Sequence, residues 1–246
     1  ITTAQHTLRF IHLNTTTFKP LIESTDATSD ERVRQIERGS LLANVIPSKS
    51  AVVLQAPRGN LETINPRIMI LQGVRKDIKA KNYKNAFITC RTHRIDLDIL
   101  HDYDPDAFFQ NVELFINQIE RVDYLDLFVS CLKEEDVAAT KYRETYSDEE
   151  LDEQVIANQQ NQNQQQQYYP KKKWIDPKDS KINKICEAIL KVLLTPTYKD
   201  KYLQTIITAF ACEKPANLTD ALSLISNFEN KEDAEKATIH LCFLQD

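Results

Sequence analysis

The spacing of hydrophobic and polar positions changes near residue 65 of the 246-residue chain. Before that point, short apolar runs such as "SLLANVI" and "AVVLQA" are separated by turn-like polar residues, a pattern typical of β-strands. After it, apolar residues such as Ile68, Leu71 and Val74 recur every three or four positions, as they do on one face of a helix. The chain therefore predicts a β region over residues 1–65 and a helical region from residue 66.

The β region is too small to stand alone. Residues 14–39 are polar and poor in large apolar side chains, which predicts a long surface excursion, and the turn "APRGN" (residues 56–60) is predicted to leave the last strand. Because three or four short strands are marginal as an isolated sheet, we expect them to pair with sequence outside the chain. The chain begins with Ile rather than Met, which favours a piece of a longer protein.

The helical region carries recognisable start signals. Asn65 followed by Pro66, and Asp104 followed by Pro105, each combine a capping residue with a proline suited to the first helical turn. Asn82 is a further candidate cap. A wide apolar stripe predicts one helix over residues 108–122, with a shorter helix over 125–132. Helices of this length with short links favour antiparallel pairs stacked in an irregular TPR-like α-solenoid, so the predicted fold class is mainly α.

Residues 143–178 interrupt the helical pattern. They include the acidic run "SDEELDEQ" and the amide-rich tract "NQQNQNQQQQ", neither of which has the apolar side chains that a packed core needs. We therefore predict a mostly disordered insertion. Helical spacing returns afterwards, and the predicted segments are residues 1–65, 66–142, 143–178 and 179–246.

Composition argues against most enzyme classes. Three glycines in 246 residues, at 39, 59 and 73, are too far apart for a dinucleotide-binding or Walker loop, so Gly59 is not expected to form a phosphate cradle. The acidic residues 134–136 follow a helix and favour a solvated end over general-acid catalysis. No apolar run approaches 18 residues, so we expect no membrane association.

The cysteines do not form a metal motif. All five lack a CxxC spacing, which favours reduced thiols in the cytoplasm, with the nucleus as a second compartment left open. Cys90 and His93, with His101 and Asp102 nearby, are the only metal-like group, but a zinc site needs four ligands and no second pair is present. We expect no catalytic residue, no metal and no cofactor.

Charge is distributed unevenly along the helical region. Residues 67–94 contain eight basic residues and one acid, whereas residues 95–136 contain twelve acids and two basic residues. The two segments could simply attract one another, or the basic segment could bind an acidic protein surface or RNA phosphates. A protein partner is favoured over RNA because aromatic residues for base stacking are sparse. The candidate contact residues are Arg58, Arg67, Arg75, Lys76, Lys79, Lys81, Lys84, Arg91 and Arg94.

Two long runs of the sequence, "LQAPRGNLE" and "RTHRIDLDILHDYDP", are too unusual to be explained by chance, and "NVELFINQIERVDYLDLF" extends the same match. With them, the chain resembles the Elongator complex protein 1 (IKAP/Iki3) family. The resemblance is strong over residues 37–142 and weaker over 1–36 and 180–246, and the amide-rich insertion resembles a fungal-type elaboration.

The resemblance implies a fold and a role. In that family two WD-repeat propellers precede an α-solenoid, so residues 1–65 would supply the final strands of the second propeller. The family member is a non-catalytic scaffold of a complex that modifies the wobble uridine of tRNA (5-carbonylmethyl-type modification). A different subunit carries the radical SAM and acetyl-CoA chemistry. The implied partners are that catalytic subunit and a second propeller subunit, whereas homodimerisation and the family's basic tRNA-contacting region would lie outside this chain.

Two alternatives to this scaffold remain open at the level of sequence. The basic segment 67–94 could bind tRNA directly. A propeller-plus-solenoid scaffold of another complex, such as a vesicle coat, would share the same fold plan.

Overall fold

The computed structural model describes residues 6–11, 32–144, 176–226 and 231–243. The described residues divide into two compact units. The first runs to Val74 and includes Lys141 and Tyr142, and the second contains Arg75–Thr140 together with the described residues from Asp176 onward. The predicted insertion lies largely outside the described residues.

The first unit contains two small antiparallel sheets. Strand β1 (Thr7–Arg9) pairs with β2 (Val33–Gln35). Strands β3 (Leu41–Ile46), β4 (Ala51–Gln55) and β5 (Leu61–Ile64) follow one another as a meander, with β4 in the centre. Strand β2 lies within the stretch predicted as a surface excursion, so that prediction is wrong for this part of it.

Residues 56–60 form a hairpin turn between β4 and β5. The backbone N–H of Ala56 donates to the carbonyl of Asn60 at 2.9 Å, and Gly59 adopts the left-handed φ of +90° that glycine tolerates without strain. The prediction that this turn leaves the last strand is therefore wrong, because β5 follows it. The Asn65 side chain donates to the carbonyls of Lys49 and Ser50, both at 3.1 Å, so it secures the β3–β4 connection.

A small apolar core supports this unit. Leu8, Val52 and Leu54 are each at most 5% exposed and form its centre. Half-buried side chains pack around them: Phe10, Ile36, Ile64 and Met69. Strand β3 is exposed along almost its whole length, so buried and exposed side chains do not alternate along it.

The remaining elements are helices. Helix α1 is Arg67–Lys79, α2 is Tyr83–His93, α3 is Ile99–Asp102, α4 is Pro105–Gln110, α5 is Val112–Ile119 and α6 is Val122–Ser130. After the undescribed stretch come α7 (Lys181–Leu193), α8 (Pro196–Lys199), α9 (Leu203–Cys212), α10 (Leu218–Ser226) and α11 (Lys231–Phe243).

The single helix predicted over residues 108–122 is divided between α4 and α5, and its last residue, Val122, begins α6. Asn111 leaves the helical conformation with ψ of 24°, ending α4 and preceding α5. Its side-chain amide donates to the carbonyl of Ala107 at 2.6 Å, which stabilises this break. The predicted cap at Asp104 is confirmed, since its carboxylate accepts a hydrogen bond from the N–H of Ala107 at 3.1 Å. Asn82 precedes α2 but makes no side-chain cap bond.

The core of the second unit is built by successive helix pairs. Helix α2 packs against α5, α5 against α7, and α9 against α6, α7 and α10. Four aromatic rings stack edge-on or tilted where α2, α4, α5 and α6 meet, and all are almost fully buried: Tyr83, Phe108, Phe115 and Phe128. Among the described residues, no helix has the length and apolar content needed to cross a bilayer.

Candidate interaction surface

The nine predicted contact residues are divided between the two units. In the first unit, Arg58 is exposed in the β4–β5 hairpin. Arg67 is also exposed, and its guanidinium lies 5.7 Å from the ring centroid of Tyr142. The other seven belong to the second unit, where their surroundings differ sharply from one another.

Arg75 is buried, with only 4% of its surface exposed. It occupies the apolar face of α1 because it follows Leu71 by four positions and precedes Ile78 by three. A side chain in this position does not present its charge to a partner. Arg75 therefore drops out of the candidate surface.

Four exposed lysines surround the connection between α1 and α2, and we call this set the lysine turn: Lys76, Lys79, Lys81 and Lys84. Lys76 and Lys79 lie in the last turn of α1, where positive charge is favoured by the helix dipole. Lys81 has a left-handed φ of +59°, and its N–H donates to the carbonyl of Ile78 at 2.8 Å. Lys84 lies in the first turn of α2.

A glutamine from α5 fixes the backbone of this turn. The side-chain amide of Gln118 donates to the carbonyl of Lys81 at 2.9 Å, and its oxygen accepts from the N–H of Lys84 at 3.3 Å. One side chain thus connects the loop and the start of α2 to the neighbouring helix.

Two ammonium groups of the lysine turn have neutral partners. Lys79 Nζ lies 5.3 Å from the ring centroid of Tyr103, and Lys81 Nζ donates to Asn111 Oδ1 at 3.3 Å. Within the described ranges, none of the four lysines forms a salt bridge. In this part of the chain their ammonium groups therefore have no carboxylate oxygen within 4 Å.

The basic residues at the end of α2 have different partners from those of the lysine turn. Arg91 stacks on the ring of Tyr124 at 4.8 Å, and Arg121 stacks on the same ring at 4.4 Å while forming a bidentate pair with Asp123 at 2.8 and 3.0 Å. The hydrogen bond from Arg121 is the main reason that the pKa of Asp123 lies below its ordinary value, and Arg91 adds to the effect. Arg91 of the basic segment thus lies over a ring of the acidic segment, whereas the pair of Arg121 and Asp123 lies within the acidic segment itself. Arg94 is exposed and ends α2 with a left-handed φ of +54°.

A buried ionic cluster centred on Lys181 was not predicted. Lys181 Nζ lies 3.0 Å from Asp98 Oδ1, 3.0 Å from Asp102 Oδ2 and 2.7 Å from the carbonyl oxygen of Glu135. The Asp98 and Asp102 side chains are each only 1% exposed. Together with Glu134 these residues form what we call the Lys181 cluster.

Glu134 supports the cluster at the start of α7. Its carboxylate accepts from the hydroxyl of Ser180 and from the N–H of Lys181 at 3.0 Å, where a negative charge also complements the helix dipole. Ser180 is itself the N-cap, accepting from the N–H of Asn183 at 3.2 Å. The acidic run 134–136 is thus only partly the solvated end that we expected.

Hydrogen bonds keep Asp102 ionised within the cluster. Burial by itself would raise its pKa, but contacts with His101, the N–H of Val137 and Lys181 outweigh burial, so the pKa of Asp102 lies below its ordinary value. His101 Nδ1 lies 2.8 Å from Asp102 Oδ1. Asp102 and Lys181 are 79 residues apart, so their contact leaves no periodic signal in the sequence. The one local signal is Ser180 ahead of an apolar run, which indicates a capped helix.

The metal-like residues of the sequence are structural in this arrangement. Cys90 is fully buried in α2, and burial raises the pKa of its thiol to about 12. Asp102 belongs to the Lys181 cluster, and His101 Nδ1 contacts its carboxylate. In the part of the chain that the structure describes, no group of three or more His, Cys, Asp or Glu side chains could hold a metal ion.

Comparison with known proteins identifies the helical part. A family model described as the ELP1 alpha-solenoid matches residues 67–245. The chain belongs to the ELP1 family. A second model of the family, the ELP1 N-terminal second beta-propeller, matches residues 1–43. The predicted fold class, an α-solenoid preceded by the terminal strands of a propeller, is confirmed, and so is the resemblance to the Elongator complex protein 1 family.

Relatives from two yeasts and a mammal match the whole chain. Elongator complex protein 1 of Saccharomyces cerevisiae is 61% identical over 251 aligned positions, and that of Schizosaccharomyces pombe is 43% identical over 249. The rabbit protein, from Oryctolagus cuniculus, is 31% identical over 256. Each alignment covers all of this chain but only 18% of the relative, so the chain spans a small part of the ELP1 proteins that it matches.

Proposed function

We propose that this chain is part of a non-catalytic scaffold subunit of the Elongator complex, acting in the cytoplasm in support of tRNA wobble-uridine modification. The observation that carries the proposal is the match to the ELP1 alpha-solenoid over residues 67–245, together with 61% identity to a protein named as a subunit of that complex. Solenoids suit a scaffold role because each helical repeat contacts only its neighbours and leaves extended faces free for partners.

The scaffold would bring together a catalytic subunit, which supplies the radical SAM and acetyl-CoA chemistry, and a second propeller subunit. This chain would supply binding surface, and its own chemistry supports that division of labour. Its buried carboxylates Asp98 and Asp102 are engaged by a lysine and by backbone N–H groups. Homodimerisation of the full-length protein would use regions other than this chain.

Co-purification tests this proposal. The full-length protein containing this chain is tagged and isolated from cells, and the associated proteins are identified by mass spectrometry. We expect the other Elongator subunits to be recovered, and wobble-uridine modification in tRNA to fall when the protein is depleted. Recovery of a different assembly, such as vesicle-coat proteins, would reject the proposal.

A charge-reversed variant tests whether the basic segment takes part in docking. Lys76, Lys79 and Lys84 are changed together to Glu, and recovery of the catalytic subunit is expected to weaken. The matched control changes three exposed lysines elsewhere in the same unit to Glu: Lys184, Lys191 and Lys199. Equal recovery from both variants would remove the lysine turn from the docking surface while leaving the scaffold function standing.

Direct tRNA binding is the second candidate function. The observation that favours it is the set of exposed lysines without acidic partners in the described ranges. Fluorescence anisotropy with tRNA should then show binding that weakens steeply with salt, because counterions are released from the phosphates. Binding that is absent or insensitive to salt would exclude this role for the chain.

A further inference from the structure

We propose that the lysine turn binds an acidic segment of a protein partner, a run of Asp and Glu side chains. The inference rests on the proposed scaffold function and narrows it to one surface and one class of ligand. Three features of the described residues support it: a fixed backbone, ammonium groups without a salt-bridge partner, and nearby rings of Tyr83, Phe87, Tyr103 and Tyr124 that are buried or already contacted by a basic side chain.

The backbone of the lysine turn is already held in place before any partner arrives. Gln118 donates one hydrogen bond to this backbone and accepts another from it. In addition, the N–H of Asn82 donates to the carbonyl of Asp77 at 2.8 Å, and the N–H of Ala80 donates to the carbonyl of Lys76 at 3.0 Å. A partner therefore orders lysine side chains on a fixed frame rather than an entire loop. Binding loses less conformational entropy as a result.

The charge of the turn is available to a ligand. Tyr103 and Asn111 orient Lys79 and Lys81 through an aromatic face and an amide oxygen, neither of which carries negative charge. The contrast with Arg121 is clear, since its guanidinium is already neutralised by Asp123. Four exposed ammonium groups on one helix–turn–helix thus have electrostatic attraction to offer to carboxylates.

An acidic protein segment fits these features better than a nucleic acid. Single-stranded nucleic acids gain much of their affinity from bases stacked on exposed aromatic rings. Tyr83 and Phe87 are fully buried, and the rings of Tyr103 and Tyr124 are occupied by Lys79 and Arg91. Of these four rings, none is both exposed and free of a basic side chain, whereas the four ammonium groups are exposed to carboxylates.

The test uses the full-length protein containing this chain and a fluorescein-labelled peptide of alternating Asp and Glu residues. Changing Lys76, Lys79, Lys81 and Lys84 together to Gln should weaken peptide binding by about tenfold, the product of several modest ion-pair contributions. The matched control changes four other exposed lysines to Gln and should stay within about twofold of the parent protein. Those control positions are Lys178, Lys184, Lys191 and Lys199.

Two outcomes would overturn the inference. Equal weakening in both quadruple variants would mean that the peptide senses only overall charge. A tRNA that binds through the lysine turn more tightly than the peptide at physiological salt would assign the surface to nucleic acid. Co-purification separates the two proposals. If Elongator subunits are recovered but the protein does not bind the peptide, only the proposed class of ligand is overturned. If the protein binds the peptide but those subunits are not recovered, the scaffold function is overturned.

Discussion

The ammonium group of Lys181 lies 3.0 Å from the carboxylate of Asp102, although 79 residues separate the two along the chain. The same ammonium also contacts Asp98, and both carboxylates are almost fully buried. Burial of charge in this way is tolerated only while each charge has its partners. The Lys181 cluster is therefore the part of this unit in which a single substitution should have the largest effect.

Replacing Lys181 with Met should lower the free energy of unfolding by about 3–5 kcal/mol, because two buried carboxylates would lose their cation. Chemical denaturation of the chain measures the change. Lys191→Met, at an exposed position of the same helix, should change stability by less than about 0.5 kcal/mol. Similar stabilities for the two variants would mean that the cluster contributes nothing.

The Lys181 cluster should also make the free energy of unfolding depend on pH. The pKa of Asp102 is lowered in the folded chain from an ordinary value of 3.8, so the unfolded state takes up its proton first as pH falls. The contribution of Asp102 is therefore complete above that value and is lost as pH falls through the lowered one. Asp102→Asn should flatten the decline of stability with pH below about 4. Denaturation curves measured across this pH range provide the test, and parallel declines would contradict it.

Asp126 should have the opposite behaviour. Burial raises its pKa, despite opposing contributions from Thr205 and His240, so its stabilising effect is present at low pH and is lost as pH rises through the raised value. Asp126→Asn should consequently raise the free energy of unfolding at neutral pH by about 1 kcal/mol, because no charge is then desolvated. Asp123→Asn, at an exposed site of the same helix, should instead be neutral or slightly destabilising. A thermal shift assay compares them, and a loss of stability in Asp126→Asn would contradict this account.

Arg94 offers a test of backbone strain. Its φ of +54° ends α2 in the left-handed region, which L side chains adopt with a penalty of roughly 1 kcal/mol. Arg94→Gly should therefore increase stability by up to about 1 kcal/mol, as glycine does at helix C-termini. Arg91→Gly, inside the last helical turn, should lose about the same amount. Thermal denaturation distinguishes the two, and a destabilised Arg94→Gly would contradict the prediction.

Thiol reactivity should follow burial. The pKa of Cys90 is raised to about 12 and that of Cys212 to about 11, whereas Cys131 and Cys242 are exposed. Iodoacetamide at mildly alkaline pH should thus modify the two exposed cysteines first, because only thiolates react. Mass spectrometry of peptides reads out the order, and rapid labelling of Cys90 in folded protein would be inconsistent with its burial.

Local signals predicted the helical region well. The change of period at residue 65 and the cap at Asp104 both depend on neighbouring residues, which the sequence displays directly. The same periodicity also predicts that Arg75 is buried, because Arg75 lies on the helix face that carries Leu71 and Ile78. Its charge led us to count it among the contact residues instead.

The remaining errors arise where a side-chain hydrogen bond, either local or to a distant residue, overrides the pattern of apolar positions and caps. The apolar stripe continues through Asn111, but an asparagine that hydrogen-bonds its own backbone ends one helix and begins another. Asn65 resembles a cap in sequence, yet it bonds to carbonyls 15 and 16 residues away. The Lys181 cluster depends on partners from three separate stretches, and the lysine turn on a glutamine from α5, so neither was accessible to periodicity.

The Lys181 cluster has a consequence for how this protein can change in evolution. Glu134 contacts Ser180 and the N–H of Lys181 directly, so side chains rather than the intervening residues set the register of α7 against the preceding helices. A change in the number of residues between 144 and 176 would leave these contacts of Glu134 in place. Lineages could acquire or lose a tract such as the amide-rich one while inheriting the same scaffold geometry.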